Sequence, residues 1–230
     1  MKSSKITYLN TGIYTVAEAS RLTGVSKERI RRWLRGYHSN LRKKDYSPLW
    51  KSQLPSLEGK VALGFFDLIE IKFVDAFLRV GVSWPIIHKV REKAQELYPE
   101  TDHPFCTQQF VTDGRQIIRD LHHETGESCL EEIATNQRVF AELTKPFLKQ
   151  LEFRAGSFLE RWWPLGTDHN IVVDPRRNFG QPTVSKEGVP TQTLARSFEA
   201  NNSINEVARW YEISPESVQE AVDYERSLAA

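Results

Sequence analysis

Two segments of this 230-residue chain align with each other without a gap, and that pairing constrains the fold more than any other feature. The first is TVAEASRLTGVSKERIRRWL, Thr15 to Leu34, and the second is SINEVARWYEISPESVQEAV, Ser203 to Val222. Val16 aligns with Ile204, Glu18 with Glu206, Ala19 with Val207, Val25 with Ile213, Ser26 with Ser214 and Ile30 with Val218. Each copy reads as helix, tight turn, helix. In the first, Thr15 can cap a helix with Glu18 three residues on, which is capping-box spacing. Val16, Ala19 and Leu22 recur at helical intervals. Gly24 suits the left-handed residue that ends a helix. Ser26 can cap the next helix, whose apolar set is Ile30, Trp33 and Leu34, and Gly36 closes it. In the second copy Pro215 stands at the first helical position, where its missing N–H costs nothing.

Charge separates the copies. The second helix of the first carries Lys27, Arg29, Arg31, Arg32 and Arg35 against Glu28 alone; that of the last carries Glu216, Glu220, Asp223 and Glu225 against Arg226 alone. The net charge of +1 hides a wider asymmetry: residues 1–60 hold 13 Lys or Arg and 4 Asp or Glu, while residues 61–230 hold 18 and 26. This reads as a nucleic-acid-facing head on an acidic body.

Other function classes find little support. No apolar run approaches the roughly 20 residues that span a bilayer, and MKSSKITYLN lacks the apolar core of a signal peptide. A cytoplasmic protein without a membrane partner is expected. Cys106 and Cys129 show neither metal-binding nor redox spacing, so free thiols are the default, with one disulfide left open. His103, Cys106, His122, His123 and Cys129 are too irregularly spaced for a metal cluster, and no phosphate-binding glycine loop is present. The reading is of a non-enzyme with no cofactor, metal or catalytic residue. Asp67, Glu70 and Asp75, in an otherwise apolar helix, are expected to face solvent.

Between the copies, residues 37–64 read as an extended or winged segment. VALGFFDLIEIKFVDAFLRVG can open in a strand and becomes a helix from Phe66, ended by Gly81. SWPIIHKVREKAQELY is a further helix, with Pro85 in its first turn. Pro99 to Pro104 is a turn-rich break. Asp113-Gly114 lies between semi-alternating flanks, a hairpin signal. TNQRVFAELTKPFLKQLEF reads as a helix bent near Pro146. Short strands and turns follow, in which Gly180, Pro182, Gly188 and Pro190 shape the backbone, before a compact helical terminus beginning at TLARSFEAN. The expected fold is mainly α with short β segments (α+β), comprising an N-terminal winged helix–turn–helix and a small C-terminal helix–turn–helix-like domain. The boundaries are 1–100 for the DNA-binding domain, 101–165 for a connecting hairpin and helix region, and 166–230 for the tail.

A recognition helix anchors one face in its own core and projects the other into the major groove. Ile30, Trp33 and Leu34 can anchor, leaving Lys27, Glu28, Arg31, Arg32 and Arg35 to face out. Arg and Lys read guanine edges or phosphates, and Glu28 can accept from cytosine or orient an Arg. Ser26, at the helix N-terminus, can meet a phosphate. His38, Arg42, Lys43 and Lys44 lie where a wing reaches the backbone. In the tail, Phe198, Trp210 and Tyr211 supply apolar surface for a core, a dimer or a protein partner. Trp162 and Trp163 either bury between domains or dock a partner.

TVAEASRLTGVSKERIRRW resembles the DNA-binding head of MerR-like regulators, in which a helix–turn–helix precedes a wing, and DLIEIKFVDAFLRVGVSWPIIHKVRE looks like the helical continuation of that head. The stretch from IVVDPRRNFGQPTV through GVPTQTLARSFEANNSINEVARWYEISPESVQEAVDYE is similar to the DUF433 family. The combination resembles VapB-type antitoxins of VapBC-like toxin–antitoxin pairs, and the two matches cover roughly two thirds of the chain. The resemblance implies an autorepressor that binds double-stranded operator DNA as a homodimer and sequesters a PIN-like ribonuclease toxin. The chain departs from the MerR pattern in lacking a long C-terminal dimerisation helix with a cysteine effector loop. Two other readings stand beside it. One is a stand-alone MerR-like transcription regulator without a toxin; the other is a scaffold whose first motif binds protein.

Overall fold

The computed structural model describes residues 8–39, 44–79, 82–125, 147–154 and 158–229. The first helix pair begins at β1 (Tyr14–Thr15), followed by α1 (Val16–Thr23) and α2 (Lys27–Arg35). Thr15 and Glu18 close the capping box, Thr15 N donating to Glu18 Oε2 at 2.8 Å and Glu18 N donating back to the Thr15 hydroxyl at 3.2 Å. Gly24 takes φ 74°, where a Cβ would be strained. An antiparallel hairpin follows, β2 (Tyr37–Ser39) on β3 (Lys44–Tyr46), with Tyr37 opposite Tyr46 and His38 opposite Asp45. The chain then returns through β4 (Ala62–Leu63), which pairs antiparallel with β1.

Helix α3 (Phe65–Arg79) is buried over most of its surface: Leu68, Ile69, Ile71, Phe73, Val74 and Phe77 are all buried, while Lys72 and Ala76 are half-buried and Arg79 is exposed. Its solvent-facing edge is taken by Lys72, Ala76 and Arg79, spaced i, i+4, i+7, so the three acids fall on the faces turned into the core. The expectation for Asp67, Glu70 and Asp75 is therefore overturned; all three are buried. Asp67 is satisfied by the Trp50 indole N–H at 2.8 Å, the Ser52 hydroxyl at 2.9 Å and the amides of Gln53 and Gly64 at 3.0 and 2.7 Å. These bonds tie the segment after the hairpin to the start of α3. Even so, burial pushes the Asp67 carboxyl up to about 6, against the lowering effect of those donors.

Helix α4 (Trp84–Leu97) carries Pro85 in its first turn, as the sequence requires, and a short 3-10 turn at Pro104–Cys106 leads into α5 (Gln108–Thr125). The hairpin expected at Asp113-Gly114 is instead the middle of α5. Phe110, Gly114, Ile117 and Leu121 recur at helical intervals and are buried together. The Thr107 hydroxyl accepts from Phe110 N at 3.1 Å at the entry. One helical stripe against the core outweighs the roughly 1 kcal/mol cost of an interior Gly. The bent helix expected over 135–153 lies mostly outside the described residues. Its last three residues are strand β5 (Leu151–Phe153), paired antiparallel with β6 (Leu159–Trp162), because the return strand offers backbone partners that a helix there would forgo.

The chain closes with β7 (Ile171–Val172) on β8 (Thr183–Val184), then α6 (Thr191–Asn201), α7 (Ile204–Tyr211) and α8 (Pro215–Ser227). The second helix pair repeats the first in its local chemistry. Ser203 and Ser214 cap α7 and α8 through the amides of Glu206 and Ser217, as Thr15 and Ser26 cap α1 and α2. Glu212 takes the left-handed place of Gly24 at φ 55°.

One hydrophobic core runs from Tyr14 through α1–α5 to Trp162 and Val173; a second joins β8 to α6, α7 and α8. The two are clasped by the Tyr14 hydroxyl donating to Gly180 O at 2.6 Å, by Ile13 N donating to Phe179 O at 2.9 Å, and by an Arg21–Glu225 ion pair at 2.5 Å. The result is an α-dominant fold with minor β content. Among the described residues, no helix is long and apolar enough to cross a membrane.

Candidate nucleic-acid interface

The faces of α2 are set by its apolar spacing. Ile30, Trp33 and Leu34 are buried in the main core, so Lys27, Glu28, Arg29, Arg31, Arg32 and Arg35 are all exposed. The Ser26 hydroxyl accepts from Arg29 N at 3.4 Å, so its first task is capping. Glu28 and Arg31 approach each other at 3.8 Å across the surface. Such an exposed pair holds together by at most about 1 kcal/mol and leaves the guanidinium available. The Arg32 guanidinium lies 5.5 Å from the centre of the Tyr37 ring, and Tyr37 stacks on Tyr46 at 4.9 Å. Arg32 thereby joins α2 to the hairpin, and its planar group stays oriented. Arg35 donates to Gly59 O at 2.7 Å, which spends part of its donor set on the loop before β4.

At the hairpin, the His38 ring lies 2.7 Å from the Asp45 carboxylate, an acidic neighbour that offsets positive charge there when the ring is protonated. Arg42 and Lys43 lie outside the described residues. Lys44 begins β3, and its side chain lies outside them as well. The structure therefore gathers Ser26, Lys27, Glu28, Arg31, Arg32 and Arg35 on one helix face with the His38 strand beside it.

Arg29 lies outside the set of contacts expected from the sequence. It is exposed but leans toward the buried Asp75 at 3.4 Å, which Arg79 also holds at 2.6 Å. Its i+46 partner carries no sequence signal, since only packing α2 across α3 brings the two together.

The aromatic residues expected at a partner surface are scattered. Trp162 is buried in the main core, its indole N–H on Gln150 and its ring under the Lys72 ammonium at 5.0 Å. Burial pushes the Lys72 ammonium down to about 8. Trp163 is half-buried and donates to Glu152 at 2.8 Å. Phe198 packs against the tail core beneath the Arg226 guanidinium, and the Tyr211 hydroxyl meets Ser197 at 3.0 Å. Trp210 alone of the five is largely exposed, at 57 %.

The acids of α8 also divide. Glu225 faces the first helix pair, held by Arg21 and by the Thr191 hydroxyl at 2.5 Å. Glu216, Glu220 and Asp223, spaced i, i+4, i+7, border an open groove of about 750 Å³ with Leu165, Ile204 and Pro215. That spacing was legible as a helix face; the groove was not, because Leu165 comes from the loop after β6.

Between α3 and the turn at Pro104–Cys106 lies a cluster of buried ionisable groups. Burial pushes the Glu70 carboxyl up to about 8 and the Cys106 thiol well up, while burial and the Arg91 charge push the His103 imidazole down to about 3. Among the described residues, no group of three His, Cys, Asp or Glu side chains could hold a metal ion.

Comparison with known proteins adds three findings. The chain is 27% identical over 227 residues to a protein called putative antitoxin VapB45 from Mycobacterium tuberculosis (strain ATCC 25618 / H37Rv), covering 92% of each chain. Its fold is similar to that of the crystal structure of Rv2018 from Mycobacterium tuberculosis, with a TM-score of 0.72 and 24% identity over 93% of this chain and 99% of that one. The second helix pair lies in the third match: residues 171–224 fit the model of the DUF433 family, described as a protein of unknown function.

Proposed function

We propose that this chain is a non-enzymatic antitoxin that binds double-stranded operator DNA through α2 and neutralises a protein toxin of the PIN-like ribonuclease class. The observation that carries the DNA half is the face of α2, where Ile30, Trp33 and Leu34 are buried and Lys27, Arg31, Arg32 and Arg35 are presented together. In this reading α1 and α2 are a helix–turn–helix, β2 and β3 are its wing, and residues 1–100 form the DNA-binding domain. Residues 101–165 connect it to a tail, 166–230, that serves dimerisation or the partner. Arg31 and Arg32 reach base edges or phosphates; Lys27, Ser26 and the His38 strand position the helix on the backbone. The similarity to a protein named as a putative antitoxin supports the partner half and a role without catalysis.

The test is titration of labelled promoter DNA of the chain's own operon at several salt concentrations. Binding should fall steeply with salt, since each neutralised phosphate contributes a log–log slope of about −0.9. Replacing both Arg31 and Arg32 by Ala should weaken binding and flatten that slope by up to about 2. Unchanged affinity would contradict the assigned helix. The toxin half is tested by co-purification with the product of the adjacent gene and by loss of its ribonuclease activity in the complex.

A stand-alone regulator is favoured by one feature. A cavity of about 800 Å³ opens beside Arg35, lined by Trp50, Gln53, Phe66 and His103, where a small ligand could bear on the end of α2. Promoter affinity that changes with a small metabolite, in a chain with no toxin partner, would select that reading.

A further inference from the structure

The groove beside α8 is the largely apolar recess of the tail, and its rim is acidic. Leu165, Ile204 and Pro215 supply the apolar wall, and Glu216, Glu220 and Asp223 stand along one helix face above it. Leu165 is 39 % exposed, a large aliphatic side chain left to water beside that recess. The rim acids have partners within the chain yet keep a side toward the groove. Asp223 is exposed, meets Arg226 at 3.8 Å and accepts from the Gln219 amide at 2.9 Å; Glu220 lies 2.7 Å from the exposed His169 ring and accepts from Asn170 N at 3.3 Å; Glu216 is exposed.

The geometry points to this groove as a docking site for a basic amphipathic segment of a partner protein, one that places aliphatic or aromatic side chains against Leu165, Ile204 and Pro215 with Lys or Arg flanking them toward Glu216, Glu220 and Asp223. Charge decides the occupant. An apolar segment with acidic flanks would be repelled by the rim, while basic flanks complement it. The chain's own basic helix in a second copy has the right sign and the wrong surface: Ile30, Trp33 and Leu34 are buried in its own core, leaving charge without an apolar insert. The volume accommodates several large side chains, the scale of a helix-in-groove contact. The groove also explains the division of α8, whose remaining acid, Glu225, is occupied by Arg21 and Thr191. This assignment takes from the proposed function only that the tail holds a protein partner.

The experiment titrates the full-length chain into a fluorescent amphipathic peptide with Leu and Phe on one face and Lys and Arg on the other. Two controls are a peptide of the same basic residues with the apolar face replaced by Ser, and one with Glu flanks. The first peptide should bind, and both controls should bind at least about tenfold more weakly. The Glu216→Lys/Asp223→Lys variant and the Leu165→Ser variant, both at exposed positions, should each reduce the affinity by about tenfold or more. Equal binding of the apolar-face and Ser-face peptides, or unchanged affinity in both variants, would overturn the assignment. So would loss of self-association in these variants by sedimentation, which would give the groove to a second copy. Promoter DNA is titrated in parallel and should bind all forms alike. If the peptide docks while the adjacent gene product does not bind, the antitoxin reading fails and the groove stands; if the toxin is bound but the peptide is not, the reverse holds.

Discussion

Glu70→Gln turns the buried acid of α3 into a measurable pH dependence. Glu70 is fully buried; its Oε1 accepts from Phe105 N at 3.1 Å, and its Oε2 has no hydrogen-bond partner. Desolvation raises its pKa from 4.5 to about 8, outweighing the lowering by the Arg91 charge and the Phe105 amide. The native state therefore keeps a proton, between pH 4.5 and about 8, that the unfolded chain has released. Stability tied to this group is present at low pH and is lost as pH rises through that window. Asp67 acts in the same direction only up to about pH 6. The His103 imidazole, held neutral, acts in the opposite direction between about pH 3 and 6.5. Toward pH 8 the Lys72 ammonium, lowered to about 8, acts in the opposite direction, but it titrates in the Gln variant as well, so from pH 6.5 to 8 the difference between the two chains isolates Glu70. At about 1.4 kcal/mol per pH unit, the ceiling across it is about 2 kcal/mol. Gln keeps the acceptor for Phe105 N and removes the titration. In urea unfolding at pH 6.5, 7.2 and 8.0, the wild-type chain should lose about 1–2 kcal/mol relative to the variant. A difference between the two that stays flat with pH would refute the reasoning, and one that moves in the variant's disfavour as pH rises would reverse its sign.

Two further outcomes test the clasp between the cores. Arg21→Ala, Glu225→Ala and the double variant form a cycle whose coupling should be about 1 kcal/mol, since the Arg21 side chain is 31% exposed and partly screened; a cycle that closes to zero by thermal unfolding would show the pair contributes nothing. Gly180→Ala should destabilise by about 1–3 kcal/mol in the same assay, because φ is +81° and the new Cβ would collide with the Tyr14 hydroxyl that bonds Gly180 O; a neutral result would mean the clasp yields freely.

Local chemistry was legible wherever its partners were close in sequence. The capping box at Thr15 and Glu18, the serine cap at Ser26, the left-handed Gly24 and the proline start of α8 all follow from spacing within a few residues. The errors came where a local signal competed with distant packing. Asp113-Gly114 carries turn residues, yet the buried stripe of Phe110, Ile117 and Leu121 holds it helical. Leu151–Phe153 continued a helical period, yet pairing with Leu159–Trp162 made it a strand. For the candidate interface, the exposed residues of α2 are readable from the helical spacing of Ile30, Trp33 and Leu34. The engagement of Arg35 with Gly59, of Arg32 with Tyr37 and of Arg29 with Asp75 was not, because those partners lie on other elements.

Residue order and spacing are enough to specify two helix pairs of one local design, one basic and one acidic. Caps, turns and apolar spacing act within a few residues, and charge is carried by composition. What surrounds them follows from packing between distant parts of the chain. It buried Asp67, Glu70 and Asp75 by placing most of α3 inside the core, withdrew Trp162 into the core, and set Arg21 of the first pair against Glu225 of the second. It also opened a groove beside the remaining acids of α8 by bringing Leu165 from a distant loop. Burial and long-range pairing depend on which surfaces meet, and no window of sequence contains both surfaces at once.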